Sequence, residues 1–236
     1  MIPRARLLRY LSVLILLFAL PSVSNETMVD SYQCSMPAKK VPAAVIKSSD
    51  SVFTVNVFTL TGAGRGSATY IGNGIFVSAW HVTEGSDEND TITLTKPDGT
   101  CYNCTVLAFD DVWDIVLLTT EADVKEAAVK VAQEDQGPGD YFWGAGYGAS
   151  MHDNVVGVEL RIFGGFYKGH CRPATQLLKG WFMFANGAIP GDSGGAVFND
   201  EGELVGDLWG KLGNDTTFAV TNGVFRKFLI ANCIEL

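Results

Sequence analysis

Short apolar runs broken by glycine-bearing turns dominate this chain, and no helical period is sustained over any long stretch. Ile75, Phe76 and Val77 form one such run and Ile115 to Leu118 another, each the length of a buried strand. Turn signals separate the runs: Gly72-Asn73-Gly74, Pro97-Asp98-Gly99, Asn199 to Gly202, and Asn222-Gly223. Glu121 to Ala132 reads either as a helix or as a linker, and a short terminal helix is expected over Val224 to Ala231. With 26 glycines and only 18% charged residues, the composition favours short strands joined by turns, an all-β class.

The first 24 residues have a different pattern. Arg4, Arg6 and Arg9 precede an apolar run from Tyr10 to Leu20, followed by Pro21 and the small residues Ser22 and Ser24. This is the arrangement of a secretory signal peptide with cleavage after Ser24. The run is short for a membrane span, which needs about 20 apolar residues. The expected location is therefore secreted or periplasmic, without stable membrane association after cleavage; an uncleaved signal anchor is the alternative.

Cysteines and charge narrow the chemistry. Cys34, Cys101, Cys104, Cys171 and Cys233 all lie beyond the signal segment, so disulfides are expected, at most two within one chain. Cys101 and Cys104 make a CxxC with no second pair and no nearby histidine; they read as strand cysteines or a disulfide, and no metal site is expected. Sequons begin at Asn25, Asn89, Asn103 and Asn214 and carry glycan only in a eukaryotic secretory pathway. A net charge of −9 argues against a nucleic-acid partner. Gly62 to Gly66 lacks the strand-to-helix context of a phosphate loop and reads as a turn, so no cofactor is expected.

The segment Pro190-Gly191-Asp192-Ser193-Gly194-Gly195 sets a serine in a turn where backbone N–H groups can face whatever the serine attacks. A hydroxyl nucleophile needs a base, an orienting group and oxyanion donors. Gly191 and Ser193 can supply the donors. The chain has three histidines. His152 sits in a polar stretch and His170 beside cations, whereas His81 directly follows an apolar strand and can be held rigidly at a cleft. Asp114 opens the apolar run Ile115 to Leu118; a carboxylate shielded there needs a partner, and an imidazole N–H supplies one. Asp110 and Asp111, with more polar flanks, read as turn or capping residues.

Together these motifs resemble the chymotrypsin-fold serine proteases: SAWHV is similar to their histidine motif, DIVLL to their aspartate motif and GDSGG to their serine motif, in the expected order. The segments Gly66 to Gly85, Gly137 to Gly148 and Gly191 to Gly210 resemble the compact HtrA/Deg-like peptidases, and the likeness covers roughly residues 45 to 230. It implies two six-stranded antiparallel β-barrels with the active site in the cleft between them. The boundaries follow as a signal peptide over 1–24, an extension over 25–44, a first barrel over 45–124 carrying His81 and Asp114, and a linker with the second barrel over 125–236 carrying Ser193. It also implies a protein or peptide substrate that pairs with the strand Leu208-Trp209-Gly210. Gly187 falls where trypsin-like enzymes carry an acidic pocket floor, so a basic preference is not expected from there. Asp207 reads as an outward-facing strand carboxylate; turned inward, it would favour a basic substrate residue. Phe218, Ala219 and Val220 are expected to help close a pocket for small or apolar side chains.

The resemblance has two gaps. No IVGG-like segment supplies the new N-terminus that would pair with Asp192, so activation by cleavage is not expected. The chain ends at Leu236, soon after the last expected strand, so switching through a PDZ domain is not expected either. A serine endopeptidase with Ser193 as nucleophile, His81 as base, Asp114 as orienter and the Gly191 and Ser193 N–H groups as oxyanion donors is the reading reached. A non-catalytic binding module on the same scaffold is the alternative. If His81 is the base, the rate falls as the imidazole takes up a proton; a pH–rate profile that stays flat down to about pH 5 contradicts that role.

Overall fold

The computed structural model describes residues 39–59, 62–86, 90–135, 137, 139–152, 155–170, 181–185, 187–212 and 216–235. Residues 1–24, read above as a signal peptide, Cys34, Cys171 and the sequon asparagines Asn25, Asn89 and Asn214 lie outside the described residues. A short helix α1 (Ala43–Ser49) leads into six strands: β1 (Val52–Thr59), β2 (Gly62–Gly72), β3 (Ile75–Ala79), β4 (Thr91–Thr95), β5 (Cys101–Asp110) and β6 (Ile115–Thr119). They close antiparallel in the order β1-β2-β3-β6-β5-β4, and the single-turn helix α2 (Trp80–Thr83) follows β3. The second half holds β7 (Tyr141–Gly146), a separate hairpin of β8 (Ala149–His152) and β9 (Val155–Val158), then β10 (Arg161–His170), β11 (Trp181–Ala185), β12 (Ala196–Phe198), β13 (Leu204–Leu212) and β14 (Thr216–Val220). Its barrel closes in the order β10-β11-β14-β13-β12-β7, and helix α3 (Asn222–Ala231) ends the chain. This is the expected two-barrel, all-β fold.

The continuous apolar runs have a physical cause: their strands are covered on both faces. On β6, Val116 and Leu118 turn into the first barrel beside Phe53, Phe76 and Leu94. Ile115 and Leu117 turn outward and join Val77, Ala145, Ala196, Phe198, Leu204, Val220 and Phe225 in an apolar layer between the barrels. Ala132, Phe142, Val197, Val205, Leu208 and Ala219 fill the second barrel. The β2–β3 turn uses the expected glycines, with Asn73 at φ 53° and Gly74 at φ 72°, the left-handed values a tight hairpin needs.

Two local expectations change. Glu121 to Ala132 is not a helix; it runs extended as the linker between barrels. Its backbone is captured by strand edges: the Val129 N–H donates to Tyr70 O (3.1 Å), and the Ala132 N–H to Leu204 O (2.9 Å). Val129 and Val131 face inward alternately, so tertiary pairing overrides helical propensity. Asn222-Gly223 opens α3 rather than forming a hairpin turn, and the buried Asn222 Nδ2 donates to Ala132 O and Glu134 O, tying the linker to the helix. Cys101 and Cys104 are free thiols on β5, one exposed and one buried; burial pushes the Cys104 thiol up to about 12, so it stays protonated and inert.

Phe225 on α3 is fully buried in the layer between the barrels. Phe225→Ala is expected to cost about 3–5 kcal/mol, read by chemical denaturation.

Candidate active site

His81 and Asp114 meet through two hydrogen bonds. The His81 backbone N–H donates to Asp114 Oδ1 (2.7 Å), and His81 Nδ1 lies 2.5 Å from Asp114 Oδ2. A carboxylate can only accept there, so Nδ1 carries the proton and Nε2 is left as the acceptor. A third bond, from the Trp80 N–H to Asp114 O (3.0 Å), fixes the aspartate backbone. Asp114 is held at φ +59°, a left-handed conformation that aspartate tolerates better than most residues. The preceding turn is set by Asp110, whose Oδ1 accepts from the Val112 and Trp113 N–H groups, the turn role expected for it. Asp114 is buried, whereas the His81 side chain is 43% exposed and open to the cleft.

Ser193 comes from the second barrel, and its turn is seated on the first. The Ser67 N–H on β2 donates to Ser193 O (2.8 Å). Ser67 Oγ donates to Gly191 O (2.8 Å) and accepts from the Tyr147 N–H (2.8 Å), while Ser78 Oγ donates to Ser67 O (2.7 Å). The contact is close enough to exclude a side chain: a Cβ on Gly194 would collide with Ser67 O and Ser78 Oγ and reach within 2.7 Å of Ala79 N. Ser193 is thus anchored beside the strand end that carries His81. Its hydroxyl donates to Trp209 O at 3.4 Å, a long bond of the kind that tightens or exchanges when substrate arrives. Among the described residues, neither the Gly191 nor the Ser193 N–H has an acceptor; Gly191 sits at φ +98°.

Asp192 does have a partner. Arg161, at the start of β10, donates from Nη1 to Asp192 Oδ2 (3.0 Å) and from Nη2 to Gly187 O (3.0 Å). The Ile189 N–H donates to the same carboxylate oxygen (2.8 Å). Burial pushes the Asp192 carboxyl up, and the Ile189 N–H and Arg161 pull against it. Arg161 therefore spans the two ends of the loop that precedes the serine.

The residues expected to bind substrate divide. A cavity of about 110 Å³ at Ser193 is lined by Ala188, Ile189, Pro190, Leu208 and Gly210, with Asp192 and Lys211 as its charged members. Gly187 is instead packed against Phe163, with its carbonyl bound to Arg161. The Leu208 N–H donates to Gly195 O and its carbonyl accepts from the Gly194 N–H, so its backbone braces the serine turn. The strand is irregular between Leu208 and Gly210, where Trp209 turns its carbonyl to Ser193. Phe218, Ala219 and Val220 are buried, with Phe218 edge-on to Trp209 and the other two in the cores, and do not line the cavity. Asp207 is 1% exposed and faces neither solvent nor the cavity; its outward reading is wrong, because that face of β13 is covered by the first barrel. Ser67 and Arg161 were not legible as site residues, since each acts on a segment distant in sequence.

A family profile described as the trypsin-like peptidase domain matches residues 66–206. No curated protein sequence matches significantly. Among solved structures, the fold is similar to the M. tuberculosis Rv3671c protease in its active form, at 17% identity and TM-score 0.68, covering 82% of this chain and 86% of that one. It is also similar to the serine endoprotease from Yersinia pestis (18% identity, TM-score 0.64, covering 80% of this chain and 65% of that one). The HtrA-type protease AlgW, solved with a tripeptide, is similar at 21% identity and TM-score 0.64, covering 81% of this chain and 62% of that one. The chain thus spans just under two thirds of the length of the Yersinia pestis and AlgW chains.

Ser67→Ala leaves the Gly191 carbonyl and the Tyr147 N–H without their partner in a buried site. Chemical denaturation is expected to show a loss of about 1–3 kcal/mol.

Proposed function

The chain belongs to the trypsin-like peptidase family, and from that premise we propose that it is a serine endopeptidase, that Ser193, His81 and Asp114 form its catalytic triad, and that it works after export. The observation that carries this reading is the double contact of Asp114 with His81, made beside a serine turn locked onto the same barrel. With Nδ1 held by the carboxylate, Nε2 is the acceptor available for the Ser193 proton. The hydroxyl attacks the substrate carbonyl, the Gly191 and Ser193 N–H groups receive the oxyanion, and the imidazolium then returns the proton to the leaving amine. Water repeats the sequence on the acyl-enzyme and frees Ser193.

Arg161 supplies the cation that Asp192 needs, so the serine loop is held by a half-buried side chain at the start of β10. Cleavage of a precursor has no part in this proposal. The cavity beside Ser193 is small, with mostly aliphatic walls, which supports a small or apolar residue at the cleaved position. AlgW was solved with a tripeptide, and a peptide lying along Trp209 and Gly210 is the corresponding occupant here. Arg4, Arg6 and Arg9 before the apolar run Tyr10 to Leu20 support export to a secreted or periplasmic location.

A fluorophosphonate probe tests the triad without knowledge of the natural substrate. Intact mass and peptide mapping are expected to find a single adduct on Ser193 in the mature chain, absent in Ser193→Ala and reduced by about 10³-fold or more in rate in His81→Ala. Arg161→Met, which releases Asp192, is expected to slow labelling by at least about tenfold, through a disordered oxyanion loop. A folded wild-type chain that takes no label across neutral pH would sink the triad and favour a binding module.

A further inference from the structure

Asp207 is a buried carboxyl for which the reaction described above has no use. It lies on β13 opposite Ala196 of β12, which in turn lies opposite Ala145 of β7. Ala145 and Ala196 belong to the apolar layer between the barrels, while the next residue, Leu208, turns the other way into the second barrel. Alternation along β13 therefore turns Asp207 toward the first barrel. Neither of its carboxyl oxygens has a hydrogen-bond partner among the described residues.

A charged carboxylate cannot be sustained there without a cation or a set of donors. Ala196 and Ala145 beside it offer no charge, nor do Val77 on β3 and Ile115 on β6 in the same apolar layer. Tyr147, in the same layer, and Tyr141 at its edge are phenols that burial pushes up, so both are neutral. The charged group that bears on Asp207 is Asp114, the carboxylate that holds His81. Burial first, and Asp114 second, push the Asp207 carboxyl well above the usual carboxylate range.

We propose that Asp207 is a positioning residue for the triad: a carboxyl that keeps its proton through the working pH range and so leaves Asp114 as the single negative charge acting on His81. This rests on the triad proposed above. Losing the proton at high pH sets two anions against each other in an apolar layer. Asp114 is then driven from the geometry in which its two oxygens hold His81, and acylation falls. Asp207 thus sets an alkaline limit on a site whose acid limit is set by His81.

The test compares wild type with Asp207→Asn, which keeps the shape and is neutral at every pH, using the rate of fluorophosphonate labelling of Ser193 between about pH 5 and 10. The acid limbs are expected to coincide, because a protonated Asp207 and an asparagine place the same charge beside Asp114. At the alkaline end wild type alone is expected to lose rate, by about threefold or more, while the variant stays level. An acid limb moved down by about half a unit or more in Asp207→Asn would mean that Asp207 is already ionised, and would overturn the proposal. Profiles that coincide at both ends would overturn it too.

Unfolding against pH supplies the readout that does not depend on catalysis. A carboxyl raised in the folded state costs stability progressively as pH climbs from the ordinary carboxylate range toward its folded value. Asp207→Asn is expected to gain on wild type over that window, and parallel unfolding curves would overturn the buried proton itself. Asp207→Leu, matched to the apolar layer, repeats both measurements if the asparagine variant fails to fold. A wild type that never labels while the unfolding curves still diverge would sink the triad, and the positioning role with it, but not the buried proton.

Discussion

The constraint on which this structure depends is the direct seating of the serine turn on β2. The proposed nucleophile and its proposed base come from different barrels, so their geometry is only as good as the contact between those barrels. Ser67 makes that contact with its N–H and its hydroxyl, to Ser193 and Gly191, while accepting from Tyr147. Such bonds add about 1 kcal/mol each to stability, so their weight lies less in energy than in direction. The energy comes from the apolar layer around Phe198, Leu204, Phe225 and Ile115, which is non-directional and would tolerate small slips. Ser67 removes that freedom. The glycines on both sides complete the constraint: a Cβ on Gly66 would come within 2.9 Å of Ser193 O, and one on Gly194 would collide with Ser67 O, so backbone of one barrel approaches backbone of the other.

Given that seat, each barrel holds its own part of the site by different means. The first barrel uses a single turn of helix after β3 to aim the His81 backbone N–H and ring at the same carboxylate. A left-handed Asp114 makes this possible, since an extended residue at the start of β6 would send its side chain along the strand's alternation into one of the two cores. The second barrel has a loop rather than a strand to fix, and it uses an ion pair. Arg161 reaches both Asp192 and Gly187, so one planar guanidinium sets the ends of the segment that leads into Ser193.

What could be read from the sequence were the features whose causes are local. Glycine turns, apolar runs and the residues of the proposed triad are visible because each is flanked by the residues that make it work. Asp114 was recognisable because four apolar neighbours leave a carboxylate in want of a partner. The linker was ambiguous for the opposite reason: Glu121 to Ala132 has helix-forming residues, and only Tyr70 and Leu204, far away in sequence, decide that its backbone runs extended. Asn222-Gly223 misled in the same way, since an Asn-Gly pair opens a hairpin only when a second strand is there to receive it. Ser67 and Arg161 carry no signal at all; a serine in a strand and an arginine near a turn acquire meaning from residues more than 25 positions away, which the fold brings up against them.

Asp192 and Asp207 show how completely surroundings decide what a carboxyl does. Both are about 1% exposed, both lie within 14 residues of Ser193, and burial raises both. Asp192 faces a guanidinium and a backbone N–H, which compensate for its lost hydration and let it act as an anion that organises a loop. Asp207 feels another carboxylate, and among the described residues neither of its oxygens has a hydrogen-bond partner, so little beyond its own backbone N–H offsets the desolvation of the charged form. An apolar residue would fill that face of β13 at less cost, as Ala196 and Ala145 do beside it. A carboxyl kept in so unfavourable a place is a departure from the consistency that the rest of the core displays, and such departures belong to sites where a protein gives up stability for control over chemistry. The nearest chemistry is the carboxylate that holds His81.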